Sequence, residues 1–201
     1  MTTSLLLALA AFALVSSITP GPNNLMLLAS GINFGFRRTL PHMAGVALGF
    51  TVMVAIVGAA TASVTALVPG LLGIVKWVSV AYLLYLAWKI ATAPLPDAQG
   101  RGRARPMTFL AAAAFQWVNP KAWTMALTAA TAYLPAHDRS AAVVAMALVF
   151  GAVNLPSVGL WAVLGTSLRR FLADPVRLRW FNVAAALTLV ATLYPVLASA
   201  R

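Results

Sequence analysis

The chain has 201 residues, of which 62% are hydrophobic and 8% charged, and fourteen Lys and Arg residues against three acids give a net charge of +11. Ordinary soluble domains carry about 25% charged residues, so this composition excludes a soluble globular enzyme, a disordered tail and a secreted disulfide scaffold. A soluble core of this size could not hide so much apolar surface, and the sequence therefore predicts a membrane protein.

Six apolar runs are long enough to cross the roughly 30 Å hydrocarbon core of a membrane as helices. They cover residues 4–34, 40–67, 71–90, 108–134, 141–168 and 180–200. This pattern predicts an all-α membrane protein with six transmembrane helices. The first run lacks the basic residues that open a signal peptide, so we interpret it as a retained span.

Basic residues alternate between the connections that join these runs. Because short cytoplasmic loops are enriched in Lys and Arg, the odd-numbered connections are predicted to be cytoplasmic and both termini to lie on the outer side of the membrane. The distribution leaves no basic surface for nucleic acid, whereas contact with anionic membrane lipid is expected. Ten of the fourteen basic residues lie in or beside these odd-numbered connections, namely Arg37, Arg38, Lys89, Arg101, Arg103, Arg105, Arg169, Arg170, Arg177 and Arg179.

The first apolar run is interrupted by a proline motif, Thr19-Pro20-Gly21-Pro22-Asn23-Asn24. The two prolines remove two backbone N–H donors and disfavour helix at the residues before them. A continuous helix over residues 4–34 would be about 45 Å long, which exceeds the roughly 30 Å hydrocarbon core and leaves length for an unwound stretch. The pattern predicts a discontinuous first helix.

The fourth run has its own interruption, Gln116-Trp117-Val118-Asn119-Pro120-Lys121. Pro20 and Pro120 stand 100 residues apart, each inside the first span of a three-span half. Because three is odd, the second half must enter the membrane inverted relative to the first. We therefore predict two inverted three-helix repeats, residues 1–93 and 108–201, joined by a basic cytoplasmic linker at 94–107, with helices 1 and 4 broken at their proline motifs.

Paired interruptions in corresponding places indicate a transporter binding site near the middle of the membrane. A broken helix exposes N–H groups at the start of its second half, where the helix dipole favours an anion such as a carboxylate. It also frees carbonyls that can accept from an ammonium group. An amino acid carries both charges within a few ångströms, so such a site suits it. The alternative is that each proline only kinks its helix for packing.

Lys121 lies near the middle of the fourth apolar run, whereas the three acids, Asp97, Asp138 and Asp174, all lie in connections. A lysine at mid-helix costs about 3 kcal/mol to insert, so it is rarely without a role. It could bind a substrate carboxylate or carry a proton. The alternative is that it caps the carbonyls freed by Pro120 or reaches a water-filled vestibule.

The amides beside the two breaks, Asn23, Asn24, Gln116 and Asn119, complete the candidate site. Each can donate and accept, which suits a zwitterion. They could equally satisfy the backbone groups released by the neighbouring prolines. Asn154, two residues before a proline in the fifth run, is predicted to be a further lining residue.

The remaining polar residues give no sign of catalysis. The chain holds two histidines, three acids and no cysteine, so neither a metal centre nor an acid–base pair is expected. No phosphate-binding or hydrolase motif appears. We expect a protein that is not an enzyme and has no cofactor, and we interpret His42 and His137, near the ends of apolar runs, as surface residues.

At the broken-helix motifs the chain resembles the LysE/RhtB family of amino-acid exporters. The resemblance covers nearly the whole length and is carried by residues 19–24, by Gly45-Val46-Ala47-Leu48-Gly49 and by Asn119-Pro120-Lys121-Ala122. It implies a secondary exporter that moves amino acids or close derivatives out of a bacterial cytoplasm, coupled to protons. The core site that it implies is Pro20, Gly21, Pro22, Asn23, Asn24, Asn119, Pro120 and Lys121.

Within that family, the pair Asn23-Asn24 and residues 87–92 are most similar to the cysteine/O-acetylserine exporter branch. Many relatives carry Asp at the position of Asn23, and because an amide does not titrate, a proton relay through this position is in doubt. Small neutral substrates such as cysteine, O-acetylserine, threonine or homoserine are favoured, since no acid lies in a span to balance a dibasic one.

Three other functions fit the same pattern of apolar runs. They are a passive channel or facilitator, a non-transporting membrane subunit, and a carrier of another small solute. The sequence also leaves open whether the protein acts as a monomer or a homodimer.

Overall fold

The computed structural model describes residues 1–93, 105–135 and 139–194 together with residue 197, but not the side chains of residues 61–72. Most of the predicted linker 94–107, and with it Asp97, lies outside these residues, as do His137 and Asp138. The described chain is all-helical. Its elements are α1 (Thr3–Ile18), α2 (Pro22–Phe34), α3 (Phe36–Ala91), α4 (Phe109–Phe115), the 3-10 turn η1 (Gln116–Val118), α5 (Pro120–Ala132), α6 (Arg139–Leu168) and α7 (Pro175–Ala191).

The predicted break in the first apolar run is observed. Thr2 caps the start of α1 by accepting from the backbone N–H of Leu5, and α1 ends at Ile18, two residues before Pro20. Thr19 and Gly21 have extended backbone conformations, and α2 begins at Pro22. The two helices are bent by 53°, so the run is two helices rather than one.

The second predicted break is also observed, and its proline corresponds to the second of the two prolines in the first break. α4 tightens into η1, Asn119 leaves the helix with φ −89° and ψ 110°, and Pro120 begins α5. Because α2 begins at Pro22, the residue equivalent to Pro120 is Pro22 and not Pro20. The corresponding pairs at the two helix starts are therefore Gly21 with Asn119 and Asn23 with Lys121.

Helix α3 contains two apolar segments, Phe36–Ala60 and Gly73–Ala91, which run in opposite directions along α4. In the first segment, Gly45 lies against the backbone of Phe109 and Gly49, four residues later, against Ala113. In the second, Ser79 Oγ bonds the carbonyl of Val118, while Tyr82, three residues later, packs on the ring of Phe115 at 5.5 Å. The two segments therefore pack against α4 and η1 in opposite directions, while their being two separate spans stays a prediction.

Three segments of the described chain are long and apolar enough to cross a membrane: the two segments of α3 and the whole of α6. The bent pair of α1 and α2 makes a fourth. The helices that correspond to the fourth and sixth predicted spans are shorter, with 7 residues in α4, 13 in α5 and 17 in α7. The number of six spans stays a prediction for these two parts of the chain.

Helix α6 packs against α1, α2 and α3. Its crossing with α2 is very close, because Gly165 lies against the carbonyl of Leu28 and Gly31 against the carbonyl of Ala162. At one end of this crossing, Gly35 lies beside the guanidinium of Arg169, which would be 3.0 Å from a Cβ there. The first and fifth connections therefore lie at the same end of the molecule.

Candidate functional site

The side chain of Lys121 joins the two breaks. Its Nζ lies 2.8 Å from the carbonyl oxygen of Thr19, 2.9 Å from Thr19 Oγ1 and 3.4 Å from the carbonyl oxygen of Pro20. The ammonium thus sits at the C-terminal end of α1, where the helix dipole favours a cation. Lys121 does cap freed carbonyls, but those of the other break. The carbonyl of Gln116, to which Pro120 cannot donate because it has no N–H, accepts instead from the backbone N–H of Asn119 at 3.3 Å.

The last carbonyls of α1 are satisfied by side chains from other helices. Asn24 Nδ2 donates to the carbonyls of Ser17 and Thr19, each at 2.8 Å, and Trp161 Nε1 donates to that of Ile18 at 3.1 Å. An unpaired backbone group in lipid costs several kcal/mol, so these bonds allow α1 to end inside an apolar environment. Both N–H bonds of Asn24 are used for this purpose.

A reciprocal amide pair connects α2 to the second break. Asn23 Nδ2 donates to Gln116 Oε1 at 2.8 Å, and Gln116 Nε2 donates back to Asn23 Oδ1 at 3.2 Å and to the carbonyl of Ala112 at 2.9 Å. Gln116 is fully buried. The two amides therefore satisfy each other across the breaks.

The two helices that begin at the breaks differ in how they are capped. At α5, Asn119 Oδ1 accepts from the backbone N–H of Lys121 at 3.1 Å. At α2 the capping position is Gly21, which has no side chain to accept a bond, and Pro22 follows it. The first turn of α2 therefore presents N–H groups without a side-chain cap, and the positive end of a helix dipole attracts an anion.

Gly21 allows the Lys121 side chain to cross the first break. A Cβ on Gly21 would lie 2.8 Å from Lys121 Cδ and 3.1 Å from Nζ. Real Cβ atoms do not approach a neighbouring carbon so closely, so a larger residue at position 21 would push the lysine aside. Gly21 is extended, with φ −175°, and its small size rather than its backbone freedom matters here.

A cavity opens where the breaks meet. It holds about 320 Å³ of empty space, counting the part that is open to the surroundings. Residues from α1, α2, α3, α5, α6 and the two breaks line it, namely Ser16, Ser17, Gly21, Asn23, Asn24, Phe50, Asn119, Lys121, Ala122, Met125, Asn154 and Val158.

Lys121 is the one charged side chain in the lining. Among the described residues the only acid is Asp174, and it caps α7 by accepting from the backbone N–H of Arg177 at 2.9 Å. No described carboxylate therefore neutralises the lysine. The rest of the lining divides into hydroxyl and amide groups and an apolar wall of Phe50, Met125 and Val158.

Six of the ten predicted site residues line this cavity: Gly21, Asn23, Asn24, Asn119, Lys121 and Asn154. The other four, Pro20, Pro22, Gln116 and Pro120, do not line it but shape the breaks.

Sequence reasoning missed six lining residues, Ser16, Ser17, Phe50, Ala122, Met125 and Val158. The serine pair just before a broken helix was a usable signal, because hydroxyls in an apolar run need partners. The four apolar lining residues gave no such signal in the sequence, since they stand within apolar runs.

The interpretation of His42 as a surface residue is wrong. Its side chain is 2% exposed, and both ring nitrogens lack a hydrogen-bond partner among the described residues. The reason is the start of α3, which begins at Phe36 rather than at the predicted residue 40. His42 therefore lies well inside the helix and within the packed interior.

The chain matches the family profile described as LysE type translocator over residues 14–192. The chain belongs to the LysE type translocator family. The resemblance inferred from the two proline motifs is thereby confirmed, and the protein is an integral membrane protein of a transporter family.

Relatives in two enteric bacteria cover almost the full chain. The cysteine/O-acetylserine efflux protein of Escherichia coli strain K12 is 32% identical over 191 residues, which is 94% of this chain and 96% of the relative. The protein of the same name in Salmonella typhimurium strain LT2 is 31% identical over the same shares. No solved structure matches the chain.

Proposed function

We propose that this LysE-family protein is a secondary active exporter of small neutral amino acids or their close derivatives, in the class of cysteine and O-acetylserine. The observation that carries the proposal is the position of Lys121, an uncompensated ammonium on a cavity where two broken helices meet. The names of the efflux proteins in Escherichia coli and Salmonella support the same substrate class.

The substrate carboxylate binds between Lys121 and the uncapped first turn of α2. The weakest contact of Lys121 Nζ is the 3.4 Å approach to the carbonyl of Pro20, so one N–H can turn to a carboxylate while the bonds to Thr19 persist. A charged hydrogen bond of this kind is stronger than a neutral one. The exposed N–H groups of the α2 first turn add donors on the same side of the cavity.

The apolar wall selects the substrate side chain. Phe50, Met125 and Val158 offer no polar group, so a second charge on the substrate would be buried without a partner. Burying an unpaired charge is costly, and dibasic and acidic amino acids are excluded for that reason. A small neutral side chain satisfies the wall and the limited volume.

Transport requires the site to open alternately to each side. We propose that the repeats 1–93 and 108–201 form the two moving halves, joined by the linker 94–107, with six spans and both termini on the outer side of a bacterial inner membrane. In this arrangement the bonds of Lys121 to Thr19 and of Asn23 to Gln116 cross between the halves. These polar bonds at the centre can persist or exchange with substrate while the ends of the halves move apart.

Coupling to protons is the remaining element of the proposal. Asn23 and Gln116 cannot titrate, so the proton moves on Lys121 or on the substrate itself. Anionic lipid binds the basic connections, and the unit is either one chain or a homodimer. A passive facilitator and a non-transporting subunit are the competing functions, and both predict that no solute accumulates against its gradient.

Counterflow in proteoliposomes tests the proposal. Purified protein is reconstituted with a panel of neutral, basic and acidic amino acids that includes cysteine and O-acetylserine, with and without an imposed pH gradient. Saturable exchange of a small neutral member, driven uphill by the pH gradient, is the expected result. Exchange without uphill movement would favour a facilitator, and no exchange by folded protein would overturn the proposal.

A further inference from the structure

Asn154 has an unused acceptor in the wall of the cavity. Its side chain is 5% exposed, and its Oδ1 has no hydrogen-bond partner among the described residues. Its Nδ2 donates to Ser17 Oγ at 3.3 Å, which leaves the carbonyl end of the amide free. A buried amide oxygen is rarely left unpaired, so the site indicates a donor that binds there.

Two serine hydroxyls, those of Ser16 and Ser17, belong to residues that line the same cavity. Ser16 Oγ donates to the carbonyl of Phe12 at 2.6 Å, and Ser17 Oγ accepts from Asn154. Each hydroxyl oxygen has two lone pairs, so both keep acceptor capacity. Together with Asn154 Oδ1 they supply three uncharged oxygens, which matches the three N–H donors of an ammonium group.

The placement of these oxygens and Lys121 on one cavity suits one small zwitterion. Lys121 is held by Thr19, and Ser17 precedes Thr19 by two residues at the end of α1. Lys121, the two serines and Asn154 all line one cavity, so the carboxylate and the ammonium of a single α-amino acid bound there can meet the two kinds of group.

We infer that Asn154 and Ser17, with Ser16, form the subsite that binds the α-ammonium group of the substrate. The inference rests on the proposed function and adds the orientation of the substrate: carboxylate toward Lys121, ammonium toward α6. Because the acceptors are uncharged, the subsite binds the ammonium group through hydrogen bonds to neutral oxygens and not through a carboxylate. The protein then rejects compounds that have the same side chain but lack the amino group.

The discrimination between amino and des-amino compounds tests this subsite. Inhibition of counterflow is measured with three competitors that share one side chain: L-serine, L-glycerate with a hydroxyl in place of the amino group, and 3-hydroxypropionate with neither. In the wild-type protein, serine is expected to inhibit most strongly. In Asn154→Leu the ratio of the inhibition constants of 3-hydroxypropionate and serine should fall roughly tenfold to a hundredfold.

Two further variants separate recognition from structure. Asn154→Asp keeps the oxygen acceptors and adds charge, so it should retain or increase the preference for serine. Ser17→Ala should reduce the preference in the same direction as Asn154→Leu. Inhibition by 3-hydroxypropionate, which cannot use the subsite, should change less than about threefold in every variant, because a purely structural defect would weaken all three competitors together.

The outcomes distinguish this inference from the proposed function. Wild-type exchange with an unchanged serine preference in Asn154→Leu would overturn the subsite and leave the exporter standing. A uniform loss of inhibition by all three competitors would also overturn the subsite, because it would show that Asn154 has a purely structural role. Absence of amino-acid exchange by folded wild-type protein would overturn both.

Discussion

The ammonium of Lys121 lies 2.8 Å from the carbonyl oxygen of Thr19, a residue 102 positions earlier in the chain. The contact joins the start of α5 to the end of α1, so the positive charge of the cavity is positioned by the break in the other half of the sequence. The backbone carbonyls at the end of α1 have no partner within that helix. They hold the Lys121 ammonium, which we propose to bind the substrate carboxylate.

Replacing Gly21 should weaken transport by displacing Lys121. A Cβ at position 21 would lie 2.8 Å from Lys121 Cδ, so the flexible lysine side chain must move away from its present position. We expect Gly21→Ala to raise KM about tenfold, and Gly21→Val to raise it further. The matched control is Gly73→Ala, because nothing lies within 4 Å of a Cβ at Gly73. An unchanged KM in Gly21→Val would show that the lysine position does not matter for binding.

The Asn23–Gln116 pair should behave as one unit in thermal unfolding. Removing either amide leaves its partner unpaired in the interior, at about 1–3 kcal/mol. In a double-mutant cycle with Asn23→Leu and Gln116→Leu, the double variant should be less destabilised than the sum of the single variants, with a coupling energy of about 0.5–3 kcal/mol. If the destabilisation of the double variant equalled the sum of those of the two single variants, the result would contradict the reciprocal bonds at 2.8 and 3.2 Å.

Much of the site could be predicted because a proline inside an apolar run identifies a helix break in the sequence. The motif that ends α1 and the Asn119-Pro120 pair that starts α5 both change backbone hydrogen bonding, so they locate the breaks from sequence alone. The spacing of 100 residues between Pro20 and Pro120 does not identify the equivalent prolines, because the first break contains two prolines, Pro20 and Pro22. Only the structure shows that Pro22 occupies the first turn of α2.

Hydropathy was a weaker guide at helix ends. It placed the start of the sixth span at residue 180, but α7 begins at Pro175, where Asp174 caps the backbone N–H of Arg177. Arg177 and Arg179 lower the mean hydropathy of the first turns without preventing helix. The apolar wall of Phe50, Met125 and Val158 could not be found, because which face of an apolar helix meets a cavity depends on tertiary packing.

Enlarging the cavity at its apolar wall should shift selectivity toward larger neutral amino acids. Met125 lines the cavity, and one methylene in an apolar pocket is worth about 10–200-fold in discrimination. Met125→Ala should therefore raise the preference for leucine over serine in counterflow at least about tenfold. Met26→Ala, a change at a buried methionine that does not line the cavity, should cost similar stability without changing the preference. Equal selectivity in both variants would place the substrate side chain elsewhere.

The most direct test of the central claim is the substitution Lys121→Met, measured by counterflow with the preferred substrate. A hydrogen bond to a charged group contributes about 1.5–3 kcal/mol, so loss of the lysine bond to the substrate carboxylate should lower exchange roughly tenfold to 100-fold. The matched control is Lys76→Met, because Lys76 does not line the cavity and lies 5.8 Å from the ring of Trp77. Thermal unfolding of both variants shows that the protein is folded. Wild-type exchange by Lys121→Met would contradict the account.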